Sequence, residues 1–195
     1  MNFGDLIGSL TTFDLIVIVY LIAWFVLGFA QGTIRRLLGI GAVLFSFLLA
    51  SNLRDPLGAF LADNWHQFPR EYSYMVAYLA IFLAAFIAFS LVVQGFYKPA
   101  PLFEKARFVD EVLGGLLGVL EGLLLLGAII VILDSAFALP GVPVGRGELP
   151  LLRDFWNAMN ESQTAVLFRT TLIPAFMFVF GFFIPDSIES LYRRV

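Results

Sequence analysis

Apolar residues run almost unbroken through four stretches of this chain, 13–30, 37–53, 74–96 and 109–133, and polar residues gather in the gaps. At about 1.5 Å per residue, roughly 20 apolar residues cross a hydrocarbon core of about 30 Å, so each stretch predicts a membrane-spanning helix. Between the second and third, the polar segment 54–73 holds Leu57, Phe60, Leu61 and Trp65 at helical spacing, which predicts a short interfacial helix inside a loop. His66 reads there as a surface residue. The segment 98–107 is a basic linker with two prolines, and 134–150, rich in Pro and Gly, predicts a loop. Over 151–159, Leu151, Leu152, Phe155, Trp156 and Met159 share one helical face opposite Arg153, Asp154 and Asn157, the pattern of an amphipathic helix lying in the membrane plane or else of a lid packed on the bundle. The last apolar run is short, and Arg169 and Pro174 interrupt its approach. Such a run predicts a kinked, re-entrant element over 165–184, with a fifth span as the alternative. The fold class is all-α, a polytopic membrane helical bundle in one domain with four transmembrane helices plus an amphipathic and re-entrant C-terminal region.

Small residues mark where helices can meet. Gly114, Gly118 and Gly122 recur every fourth position and stack on one face of the fourth stretch, and Gly28 and Gly32 repeat the spacing in the first. In membranes such patterns bring helix backbones together, within one chain or between copies. Glu121 lies beside the glycine face, deep in the apolar run. A carboxylate there is costly in lipid and faces protein, a cavity or a partner. It reads either as a protonatable group of a transporter or channel, or as a structural acid paired with an arginine such as Arg35 or Arg169. Asp14 predicts a cap on the first helix. Asp110 and Glu111 suit the positive N-terminal end of the fourth helix, and Arg35 or Arg36 are their candidate partners.

Composition agrees with a bilayer as solvent: 60% of the 195 residues are hydrophobic and 14% charged, against about 25% charged in soluble domains. The net charge of −3 gives no basic surface for nucleic acid. With no cysteine and one histidine, thiol chemistry and a histidine metal cluster are excluded, and no cofactor is expected. No nucleophile elbow, zinc motif or phosphate loop appears, so an enzyme is not expected. The N-terminus has no Lys or Arg before its first apolar run, so that run reads as a retained anchor. Arg35, Arg36, Lys98, Lys105 and Arg107 crowd into two short segments, which the positive-inside rule places in the cytoplasm with the N-terminus on the opposite face.

The pair Phe13–Asp14, the G-x-x-x-G-x-x-R stretch from Gly28 to Arg35 followed by LLGIGAVL, and VDEVLGGLLGVLEGLLLL over 109–126 resemble the CvpA family, the colicin V production proteins of bacterial inner membranes. Ser162, Pro174 and Pro185 add to the resemblance, which covers about 13–185. Two positions depart from it, Glu111 and Glu121 standing where the family pattern has arginine. The resemblance implies a multi-spanning inner-membrane protein linked to toxin production or export and to envelope homeostasis. The expected partners are the lipid bilayer and either further copies of the chain or other membrane-protein subunits. The readings carried forward are a transport-like homo-oligomer and an accessory subunit of a larger complex.

Overall fold

The computed structural model describes residues 10–66, 69–96, 106–138, 150–185, 188 and 192, with no strand among them. Four long helices form the body: α1 (Thr12–Gln31), α2 (Thr33–Asn64), α3 (Arg70–Phe96) and α4 (Arg107–Phe137). A short α5 (Pro150–Asn160) leads to a fifth helical segment, Gln163–Phe180. That segment comprises α6 (Gln163–Leu167), a π turn (Phe168–Leu172) and α7 (Ile173–Phe180). The four long helices and Gln163–Phe180 are each long and apolar enough to cross a membrane. The predicted Pro/Gly-rich loop over 139–149, Tyr97, Lys98, Lys105 and Arg146 lie outside the described residues.

Helix α4 is the centre, packing against α1, α2, α3 and α5. From Ile130 to Phe137 every residue is buried, while Ile16, Val19, Ile22 and Val26 on α1 face outward. An apolar surface beside a packed interior is the arrangement a lipid solvent permits. Helices α1 and α2 are joined through the single residue Gly32, whose φ of 78° is readily adopted only by glycine. The Gly32 amide donates to the Gly28 carbonyl and closes α1.

The polar segment after 53 differs from the loop predicted for it. Helix α2 continues through Arg54, Asp55 and Pro56 to Asn64, where exposed Trp65 and His66 follow it, and α3 begins at Arg70. The reason is packing: Gly58 is buried against Tyr74, so the second half of α2 still faces α3. The predicted interfacial helix is therefore the end of α2, with Leu57 and Leu61 turned partly inward and Phe60 outward.

At the C-terminal run, Pro174 neither ends nor breaks the helix. Proline lacks an N–H and its ring crowds the carbonyl four residues back. The backbone widens instead into the π turn, where the Ile173 amide reaches the Phe168 carbonyl. Asp134, predicted as the start of a loop, is inside α4 and 2% exposed.

Candidate functional site

Glycine brings α1 and α4 together. A Cβ on Gly28 would collide with the Gly114 carbonyl oxygen, one on Gly114 would come 2.5 Å from the Gly28 carbonyl oxygen, and one on Gly118 would collide with the Trp24 carbonyl oxygen. Gly122 lies under the Trp24 ring, and the Tyr20 hydroxyl donates to the Gly122 carbonyl at 3.1 Å. Residue numbers fall along α1 as they rise along α4, so the two helices run antiparallel. At the seam's end the Thr33 hydroxyl donates to the Asp110 carbonyl at 3.0 Å, and the Asp110 carboxylate lies against Gly32.

Glu121 leaves this seam toward α2. Side chains on a helix tilt toward its N-terminus, which carries the carboxylate back to Arg36, whose Nη1 donates to Oε2 at 2.7 Å. Both side chains are almost fully enclosed, 5% exposed for Arg36 and 6% for Glu121. Arg36 also donates from Nη2 to the Gln31 side-chain oxygen Oε1 at 2.7 Å and lies 5.1 Å from the centre of the Trp24 ring. Gly39 makes room: a Cβ there would strike the Glu121 carboxylate. The helical phase of α2 therefore selects Arg36, not Arg35, and Glu121 does not pair with Arg169.

Among the described residues no ion pair joins Asp110 or Glu111 to Arg35 or Arg36. Arg107 donates to Glu111 one turn along the same helix at 2.9 Å, which leaves Arg36 to Glu121. Asp14 does more than begin its helix. Thr11 is the N-cap, and Asp14 completes the capping box three residues on. Its carboxylate also accepts from the Gln163 and Thr164 amides and the Thr164 hydroxyl, fastening α6 to the start of α1.

Beside the Arg36–Glu121 pair is a cavity of about 220 Å³, lined by polar Gln31, Arg35, Arg36, Ser90, Gln94 and Glu121 among apolar residues. A second cavity, of about 200 Å³, lies between α2, α4 and the π turn, lined by apolar residues such as Val43, Phe47, Leu124, Phe168 and Phe176. Val43, Phe47, Leu125 and Ala128 are buried at this middle level. Apolar packing thus separates the Arg36 end from a second polar group at the far end of α4.

That second group was not read from the sequence. Asp134 accepts from Trp156 Nε1 at 2.8 Å, from Arg169 Nε at 2.9 Å and Nη2 at 2.6 Å, and from the Tyr192 hydroxyl at 3.0 Å. Burial, followed by the neighbouring carboxylate, pushes the Tyr192 phenol well above its usual range, so it remains a donor. Arg153 adds a hydrogen bond to the Tyr72 hydroxyl and covers the Phe137 ring at 4.6 Å. An acid closing one apolar run and an arginine opening another were the available signal. Their 35-residue separation hid the pair. No group of three His, Cys, Asp or Glu side chains that could hold a metal occurs among the described residues.

An all-helical body with several membrane-length apolar helices around a glycine-packed centre defines the class, a multi-pass membrane protein. The family model for colicin V production protein matches residues 13–173. The chain belongs to that family, as the charged and glycine-rich blocks of the sequence suggested. No curated protein and no solved structure gives a match.

Proposed function

We propose that this protein is a transport-like body of the bacterial inner membrane serving toxin production, export or envelope homeostasis. The observation carrying this reading is the enclosed Arg36–Glu121 pair beside a polar cavity, since ionisable groups within membrane helices tend to mark pathways or ligand sites. The basic residues Arg35, Arg36 and Arg107 support a cytoplasmic Arg36 end and a periplasmic N-terminus. Arg169 and Tyr192 both reach the same carboxylate, although Phe180 is 11 residues, or about 16 Å of helix, beyond Arg169. The chain therefore turns back after Phe180, which supports four full spans and a re-entrant fifth segment. Further copies of the chain would supply the rest of any conduit.

The apolar layer between the two polar ends favours a second reading, an accessory subunit of a larger complex. Native mass spectrometry of the protein gently extracted from membranes at native expression separates the readings. A discrete homo-oligomer supports the transport-like body, and a stoichiometric foreign complex makes the chain a subunit.

A further inference from the structure

We propose that the cavity at the Arg36 end binds a phosphate-type anion, in the first instance the headgroup of an anionic phospholipid. This rests on the functional reading of the same cavity. Three observations carry it. First, Arg36 is buried with two of its nitrogens engaged, while Nε has no hydrogen-bond partner. A buried donor left unmade is expensive. Nε is itself enclosed, so an anion in the cavity would complete it as the guanidinium shifts toward the lining it already forms. Second, Arg35 lines the cavity and makes no ion pair among the described residues, so two guanidinium groups face one carboxylate and the lining carries a net positive charge. Third, the remaining polar lining suits an oxyanion. The Gln31 amide nitrogen is free to donate because its oxygen serves Arg36, and Ser90 and Gln94 contribute a hydroxyl and a second amide.

The position selects among anions. Arg35 is two residues from the start of α2 and Gln94 two residues from the end of α3, so the cavity lies toward one end of the bundle. Leu27 and Val93, also in the lining, offer apolar contact beside the polar group. Basic pockets between membrane helices near the cytoplasmic surface bind acidic headgroups by this chemistry. Glu121 holds Arg36 in place and limits the net charge, which suits a singly charged phosphodiester.

The test uses the full chain in detergent, titrated with phosphatidylglycerol or phosphatidylcholine and read by native mass spectrometry, with inorganic phosphate as competitor. The expected result is preferential binding of phosphatidylglycerol, weakened about fivefold by Arg35→Gln, the effect of one basic residue near an acidic headgroup. Arg107→Gln, at an exposed arginine of the same end, leaves binding unchanged. Displacement by millimolar phosphate would assign the site to a free anion and uphold the phosphate chemistry; no displacement assigns it to the lipid headgroup. Equal binding of both lipids with no effect of phosphate, or equal losses in Arg35→Gln and Arg107→Gln, overturns the proposal. If that occurs while Glu121→Gln still stops toxin production, the anion site falls and the functional reading stands.

Discussion

Replacing Glu121 with alanine isolates what the buried pair contributes. The substitution removes the acceptor 2.7 Å from Arg36 Nη1 and leaves a guanidinium, 5% exposed, with Gln31 and the Trp24 ring as its remaining contacts. Breaking one side of a buried pair costs about 3–5 kcal/mol, mostly because the other charge stays buried without compensation. Replacing both partners behaves differently. Arg36→Met with Glu121→Leu removes both desolvation penalties, and such exchanges are often neutral or stabilising by about 1–4 kcal/mol. The double variant should therefore unfold later than Glu121→Ala alone. Equilibrium unfolding in mixed micelles, run as a double-mutant cycle with Arg36→Met, Glu121→Leu and their combination, measures the coupling directly. A coupling below about 0.5 kcal/mol, the level of independent sites, would refute the pairing.

Other positions give separate tests. Gly28→Ala or Gly118→Ala places a methyl against a backbone carbonyl that cannot rotate away, so α1 and α4 must part, at about 1–3 kcal/mol in the same unfolding assay. Gly39→Ala displaces the Glu121 carboxylate, and its destabilisation should largely vanish in the Arg36→Met, Glu121→Leu background. Asp134→Asn weakens the ties to Arg169, Trp156 and Tyr192 together, so hydrogen exchange should rise in α5 and in Gln163–Phe180 while the α1–α4 seam stays protected. Because the chain has no cysteine, single cysteines added at its two ends report sidedness cleanly. The return of Tyr192 to Asp134 predicts that an impermeant thiol reagent labels both ends from the same face.

Local pattern carried the parts of this architecture that depend on neighbours in sequence. Apolar run length marked the body helices, and glycines at every fourth position marked the faces of α1 and α4, because both properties are set within one helix. Glu121 stood out for the same reason, as a charge within such a run. What local pattern could not supply was partnership. Choosing Arg36 over Arg35 requires the phase of α2 against α4, fixed by Gly39 across the interface. Asp134 looked like a boundary because an acid normally ends a membrane run. Its role depends on Trp156, Arg169 and Tyr192, which only the return of the chain brings near. The polar turns of α2 were hidden in another way, since Arg54, Asp55 and Pro56 mimic a helix end while Gly58 packs against α3.

The functional weight of the buried pair is tested most directly by toxin production in cells carrying Glu121→Gln, compared at equal membrane abundance with the parent and with Glu121→Asp. Glutamine keeps an oxygen that can accept from Arg36 but removes the charge, whereas aspartate keeps the charge on a shorter arm. Production should fall at least about tenfold in Glu121→Gln, as expected when a functional hydrogen bond loses its charge, and partly recover in Glu121→Asp. Full production by a stably inserted Glu121→Gln variant would contradict this expectation and leave the Arg36–Glu121 pair as scaffold alone.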